Sequence, residues 1–391
     1  MVETISAADL RDRIEAADFD VLFDTRAPED FEDWRIAEAK NVEYSGSDDK
    51  LIGEFDPSEY ETDDEVVVTC ATGRSAGKFA AFLEEVEGFE NVAHVEGGME
   101  DWSLVYDVVP IATEREDLEL LQLQRRAKGC LGYLIGSKRT GKAALVDVTR
   151  ATDAFERAAA DRGYEIDRVF DTHIHADHIS AGRDLAEKHG VPYHLGEPAS
   201  TRDPQFEFDG IEPNETVMVG DIPVKAVHTP GHTTGMTSYL VDGEALLTGD
   251  TLFVESIGRT ELQFAGDDAK AGARVQYETL HHKIGTLPDH VKILPGHFSL
   301  TNCGEYIDVE PGMPMFSTVG EIWAKNEIIQ LDEDEFVEHM FNNLPSKPPN
   351  YEKVIKTNLG VYEPEDEDER NELELGPNRC AATEDSAVAD D

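Results

Sequence analysis

Residues 172–178 read Thr-His-Ile-His-Ala-Asp-His, which places four potential metal ligands, His173, His175, Asp177 and His178, within six residues. They follow Val169-Phe170, the apolar end of a predicted buried strand. If the strand continued, positions 173, 175 and 177 would share one face; a loop would instead fold several ligands around one point. Neutral imidazole together with carboxylate suits zinc, iron or manganese. A polar turn of hydrogen-bonded histidines would explain one such residue but not four at this density. The chain then repeats the arrangement. Pro230-Gly231-His232 follows Val224–Val227, Thr248-Gly249-Asp250 follows Ala245–Leu247, and Pro295-Gly296-His297 follows Val291–Leu294. Each time a short apolar strand ends in a glycine turn that carries one ligand, and strand-end loops are where scaffolds present reactive groups.

A second chemistry-bearing stretch lies upstream. Val66-Val67-Val68-Thr69 reads as a strand running into Cys70-Ala71-Thr72-Gly73-Arg74-Ser75, followed by a helix with Ala76, Phe79, Ala80, Leu83 and Val86 on one face. Amide N–H groups and the helix dipole at such a junction stabilise an anion and lower a thiol pKa, and Arg74 adds positive charge. Cys70 is therefore expected to be a reactive thiol rather than a structural one, with Ala71, Thr72, Gly73, Arg74 and Ser75 as the anion-cradling loop around it.

These stretches need elements to hold them. Ser6, with Asp9 three residues on, predicts a helix start, and Val21-Leu22-Phe23 a buried strand. Strands alternating with helices over residues 1–112 imply a parallel sheet covered on both faces. A polar connector from Asp107 to about Leu118, interrupted by Pro110, is expected to lead into a second unit over residues 113–345. That unit has strands at Leu118–Leu123, Gly132–Gly136 and Ala144–Val148, and a helix containing Ala154, Phe155 and Ala158. Residues 346–391 read as a C-terminal extension whose acidic run, Glu363 to Arg370, is expected to be solvated and disordered. Cys380 in that extension is assigned no role.

The 391 residues include 83 acidic and 34 basic side chains, a formal net charge of −49. Charge of this size repels nucleic acid and anionic membranes, so neither is expected as a partner. Its dispersal along the whole chain suggests a halophilic protein, whose self-repulsion is screened by salt. There is no signal-peptide pattern and no apolar run near the ~20 residues that span a bilayer. The four cysteines, Cys70, Cys130, Cys303 and Cys380, lie far apart, which fits a reducing cytoplasm. A homo-oligomer is neither required nor excluded.

The H-x-H-x-D-H motif followed by His232, Asp250 and His297 resembles the metallo-β-lactamase superfamily over residues 115–345. The resemblance implies an αββα sandwich with the ligands along one edge. Asp24-Thr25-Arg26, the Cys70–Ser75 loop, and Val95-Glu96-Gly97-Gly98-Met99 with Asp101-Trp102 resemble a rhodanese domain over residues 3–110. In that family the cysteine carries transferred sulfur as a persulfide. The overall fold class is thus α/β: a rhodanese-like domain followed by a metallo-β-lactamase-fold domain.

Ser256-Ile257-Gly258-Arg259-Thr260-Glu261-Leu262-Gln263 is similar to a segment of persulfide dioxygenases, a branch of that superfamily, and Tyr277, His281, Lys283 and Leu287-Pro288 keep its register. The branch implies one Fe(II) per chain on His173, His232 and Asp250, with His175, Asp177, His178 and His297 around them and Arg259 holding side chains or a substrate thiolate. The substrates would be O₂ and a low-molecular-weight persulfide or thiol, giving sulfite and thiol, with Cys70 transferring sulfur. Ser299, Ile328 and the region of Leu359 stand where the animal and plant enzymes carry a tyrosine, a glutathione-binding arginine and a cysteine. A carrier other than glutathione is therefore expected. The ligand set equally suits a glyoxalase II-like thioesterase with two zinc ions, His173, His175 and His232 on one, Asp177, His178 and His297 on the other, and Asp250 bridging. A third reading is a sulfur-carrier module with a non-catalytic metal domain.

Overall fold

The structure, a computed structural model, describes residues 2–263, 268–301, 305–307, 310–343, 347–348 and 350–376. Cys303 and Cys380 lie outside the described residues. Ser6 starts the first helix as anticipated: its hydroxyl accepts from Asp9 N–H while the Asp9 carboxylate accepts from Ser6 N–H, capping Ala7–Ala16. Five parallel strands make the first sheet, in the order Glu3–Ile5, Asn91–Val95, Glu65–Thr69, Val21–Asp24 and Ala39–Asn41. Alternation along Val66-Val67-Val68 sends side chains to opposite faces. Val67 packs with Leu10, Leu22 and Trp102 on one side, and Val66 and Val68 pack with Phe23 and Phe79 on the other. The helix after Cys70 buries Ala76, Phe79, Ala80 and Leu83, but Val86 is 66% exposed. The backbone widens into a π-turn over Leu83–Glu87, which rotates Val86 off the packed face.

The second unit is a four-layer αββα sandwich. One sheet has seven strands, in the order Asp209–Ile211, Tyr193–Gly196, Glu165–Phe170, Lys142–Val146, Leu131–Ser137, Leu118–Arg125 and Tyr106–Ile111. The other has six, Thr216–Val219, Ile222–His228, Thr237–Val241, Ala245–Gly249, Lys292–Pro295 and Ser317–Thr318. Leu120, Tyr133, Val146 and Phe170 of the first sheet meet Val224, Tyr239, Leu247 and Leu294 of the second in the central core. Helices cover the outer faces. Phe155 and Leu185 pack on the first sheet, Leu280 and Phe336 on the second. No described helix is long and apolar enough to cross a membrane.

Two expectations are corrected. Residues from Asp107 do not form a connector, because Tyr106–Ile111 is the edge strand of the seven-stranded sheet, so that sheet begins before position 113. Pro110 fits there because an edge strand has one side with no neighbour needing its N–H. The acidic run is not a disordered tail either: helices Tyr351–Asn358 and Glu367–Glu374 fold back onto the second unit. Asp366 caps the second helix, and the acids of its first turn complement the helix dipole. At its other end Glu374 is buried, bonded to the buried Arg125 at 2.8 Å. Burial opposes ionisation of Glu374, yet Arg125 and Arg150 hold its carboxyl below the ordinary value.

Glu374→Gln strips Arg125 of its buried countercharge and is expected to cost about 3 kcal/mol, read as a lowered urea midpoint. The pair's contribution is full above the unfolded carboxyl value of 4.5 and is lost as pH falls through the lower folded value, so the gap between wild type and variant should close in acid.

Candidate metal centre

Parallel pairing sets Leu247 beside Leu294 and Gly249 beside Pro295, so Asp250 and His297 emerge side by side. The approach is close enough to require glycine: a Cβ on Gly296 would lie 2.6 Å from Asp250 Oδ1, and one on Gly258 would lie 1.6 Å from the Asp250 carbonyl oxygen. The other ligands come from the loops after Glu165–Phe170 and Ile222–His228. His173, His175, Asp177, His178, His232, Asp250 and His297 are all buried.

His173, His232 and Asp250 form one cluster, their ligand atoms within 4.8 Å of one another. His173 Nε2 and His232 Nε2 lie 3.9 and 3.7 Å from Asp250 Oδ2. Bonds of about 2.0–2.2 Å to a first-row divalent ion span such separations. His173 Nε2 and Asp250 Oδ2 are buried with no hydrogen-bond partner, as atoms reserved for a cation would be. The tautomers agree. The Thr172 hydroxyl donates to Asp147 Oδ2 at 3.0 Å and accepts from His173 Nδ1–H at 3.0 Å, leaving Nε2 with its lone pair. His232 Nδ1–H donates to the Arg259 carbonyl at 2.6 Å, with the same result. Burial, with His175 and His232 beside it, drives His173 well below the ordinary imidazole value, and burial lowers His232. Burial resists ionisation of Asp250, but His297 holds its carboxyl below the ordinary value.

His175 turns away from this point: its Nε2 meets Asp147 Oδ1 at 3.2 Å, in a group with Asp171. Burial and the nearby Asp147 raise Asp171 to about 6, against the pull of His175. Asp177, His178 and His297 form a third group together with Cys130. Asp177 Oδ2 lies 2.8 Å from His297 Nε2, 3.1 Å from His178 Nδ1 and 3.4 Å from Cys130 Sγ. Burial and Asp177 would raise the Cys130 thiol, but hydrogen bonds with His178 and His297 bring it to about 7.

Arg259 is buried and its Nε donates to Glu261 Oε1 at 2.6 Å. Its carbonyl accepts from His232 Nδ1–H at 2.6 Å.

In the first unit Cys70 is buried at the end of Glu65–Thr69, and its carbonyl accepts from Met99 N–H at 2.7 Å. Gly73 precedes the helix Arg74–Phe82, which no side chain caps, so first-turn amides face the Cys70 loop. Arg74 Nε donates to Thr72 Oγ1 at 3.1 Å, and the Ser75 hydroxyl pairs with Thr25 at 3.0 Å.

Several supporting residues escaped the motif reading. Asp147 sits at the end of an apolar strand, and its one visible signal is an acid amid Leu145-Val146 and Val148. Asn358 donates to the carbonyls of His175 and His178 at 3.0 and 2.8 Å and accepts from Ser180 N–H. Glu374 accepts from Ile179 N–H at 2.7 Å. The two C-terminal helices thus strap the ligand loop from outside, through pairings some 180 residues apart that no local pattern reveals.

Residues 6–104 match the rhodanese-like domain family, and residues 125–297 match the metallo-beta-lactamase superfamily. A hydroxyacylglutathione hydrolase of Rhizobium etli is 31% identical over 186 residues, which cover 46% of this chain and 67% of that protein. An uncharacterized protein of Mycobacterium leprae is 30% identical over 45% of this chain and 89% of its own length. Among solved structures, a metallo-beta-lactamase from Staphylococcus aureus superposes with a TM-score of 0.56 at 27% identity, covering 64% of this chain and 76% of that one. ETHE1 from Myxococcus xanthus superposes with a TM-score of 0.51 at 28% identity, covering 62% of this chain and 98% of that one.

Thr172→Val removes the acceptor that fixes His173 while preserving side-chain volume. Metal affinity, measured by chelator competition, is expected to fall roughly 10- to 100-fold with the fold intact by circular dichroism.

Proposed function

The chain belongs to the metallo-beta-lactamase superfamily and carries a rhodanese-like domain ahead of that fold, and from that premise we propose that it is a persulfide dioxygenase. The observation that carries the reading is the three-ligand face of His173, His232 and Asp250, from which His175 is turned away toward Asp147. Two imidazoles and one carboxylate are the facial set that suits non-haem Fe(II). Ferrous iron, when bound there, supplies adjacent positions for a sulfur ligand and O₂. The net reaction is RSSH + O₂ + H₂O → RSH + SO₃²⁻ + 2H⁺. The chain's part is to hold His173 and His232 neutral, to keep Asp250 ionised and aimed through His297, and to bury the site.

The fused domain supports the same reading, since its chemistry is sulfur transfer. A persulfide on Cys70 passes its outer sulfur to sulfite, giving thiosulfate and the free Cys70 thiolate. The Cys70 loop runs directly into the helix Arg74–Phe82, whose N-terminus no side chain caps, as suits a loop that holds an anionic sulfur group. Low-molecular-weight persulfide is the proposed substrate, with a carrier other than glutathione. Ile328, in place of a carboxylate-binding arginine, packs against the helical core and offers no donor.

A second reading, a glyoxalase II-like thioesterase with two metals, draws on the hydroxyacylglutathione hydrolase relatives and on the neighbouring Asp177–His178–His297 group. Oxygen uptake by the iron-loaded protein in high salt, on addition of a low-molecular-weight persulfide, separates the two. Rapid uptake that falls at least roughly 100-fold in His232→Ala supports the dioxygenase. Thioester cleavage with iron bound and no oxygen consumed would replace it with the hydrolase. Cys70→Ser is expected to leave oxygen uptake unchanged and abolish thiosulfate formation from added sulfite.

A further inference from the structure

The helix Glu367–Glu374 straps the ligand loop through Glu374, and another of its side chains reaches the first unit. Asn371 Nδ2 donates to Glu100 Oε2 at 3.1 Å, across 271 residues of sequence. Glu100 lies in the short helix Gly98–Trp102, which packs against the Cys70 loop. Met99 N–H donates to the Cys70 carbonyl at 2.7 Å and Glu100 N–H to the Ala71 carbonyl at 3.1 Å. A Cβ on Gly98 would lie 2.1 Å from the Cys70 carbonyl oxygen and 2.8 Å from Gly73 N, so helix and loop are pressed together. Five residues cannot hold a helix by themselves. Met99 and Trp102 anchor this one in the core, and Asn371 holds it from outside.

We propose that Asn371 is a positioning residue for sulfur transfer: it fixes Glu100 from the second unit and thereby sets the Cys70 loop. The proposal rests on the reading of Cys70 as a sulfur carrier and not on the dioxygenase reading. The orientation of the Asn371 amide is fixed by its other partner. Its Oδ1 accepts from Arg150 Nη2 at 2.6 Å, and because a guanidinium only donates, the amide nitrogen is left facing Glu100. Arg150 also meets Glu367 of the same helix at 3.1 Å. Its Nε lies 3.4 Å from Glu374 Oε1, which accepts from Ile179 N–H beside His178. One contiguous set of polar contacts therefore runs from the loop that carries His178 to the loop that carries Cys70.

Transfer at Cys70 is sensitive to the shape of its loop. As the outer sulfur of the Cys70 persulfide passes to sulfite, its bond to Sγ breaks, a bond to the sulfite sulfur forms, and the electron pair of the broken bond stays on Sγ as thiolate. Charge thus develops on Sγ, and a loop whose amides are displaced stabilises it less. Burial and the nearby Asp368 already push the Glu100 carboxyl up, so a further carboxylate at position 371 would repel it.

The test exchanges donor and acceptor of the pair in the full chain. Asn371→Asp keeps an acceptor for Arg150 but sets carboxylate against carboxylate at Glu100; adding Glu100→Gln restores a hydrogen bond with the roles reversed. Thiosulfate formation from sulfite is measured without oxygen, with a low-molecular-weight persulfide as sulfur donor. In Asn371→Asp, kcat is expected to fall roughly 10- to 100-fold with the KM for sulfite unchanged, and the double variant is expected to recover most of that loss. Oxygen uptake by the iron-loaded protein is expected to be the same in all three chains. Should Asn371→Asp not fold, Glu100→Ala, which leaves Arg150 and its partners in place, is expected to show the same loss. Wild-type kcat in the single variants, a double variant no better than Asn371→Asp, or an equal fall in oxygen uptake overturns the proposal. A wild-type chain that forms no thiosulfate beyond that of Cys70→Ser overturns the sulfur-carrier reading and the positioning role with it, whereas transfer that ignores position 371 overturns the positioning role alone.

Discussion

Carboxylates buried without water are costly unless something positive meets them, and this domain buries Asp147, Asp171, Asp177 and Asp250 at the open ends of its central strands. Each is met in a different way. Asp147 receives Thr172 N–H and hydroxyl together with His175, and Asp171 receives the hydroxyls of Ser180 and Tyr193. Asp250 receives His297 and leaves its second oxygen facing two bare imidazole nitrogens. Asp177 gathers two histidines and a thiol. The glycine turns, the strand register and the C-terminal strap all serve to hold these partners in place. Loosening any of them would expose a charge that the surrounding core cannot solvate.

That organisation explains the division of labour among the ligands. The motif supplies seven ligand-type side chains, but the hydrogen-bond relays sort them into groups before any ion arrives. His175 is assigned to Asp147, so it does not converge with His173 and His232. His297 faces Asp250 with one nitrogen and Asp177 with the other, and so links two groups without belonging to both. Preorganisation of this kind fixes which donors converge before an ion binds, and donor geometry and type rather than intrinsic affinity decide metal selectivity.

Much of this was legible in the sequence where the signal was local. The H-x-H-x-D-H stretch, the three glycine turns and the strand before Cys70 each lie within a few residues, and the motif ligands stand at neighbouring strand ends, divided among three groups. Asp147 and Cys130 were not legible as partners, because what makes them part of the centre is pairing between distant strands. The acidic run misled for a different reason. Composition predicts solvation, and most of Glu363–Arg370 is indeed exposed, but Leu373 and Glu374 anchor the helix that follows. Tyr106–Ile111 was read as a connector because Pro110 masks an alternation in which Val109 and Ile111 point inward.

The turn at residues 126–130 joins what would otherwise be separate parts. Trp34 of the first unit donates to the Ala127 carbonyl, Lys128 donates to the carbonyls of Glu374 and Gly376, and Cys130 reaches the ligand group. During synthesis the first unit and the sandwich strands emerge before residues 350–376 can close over the ligand loop. The backbone carbonyls of His175 and His178 lack their Asn358 partner until then. The ligand loop is thus finished by a segment some 180 residues downstream of it, so the outer wall of the centre forms only once the distant helix carrying Asn358 has docked.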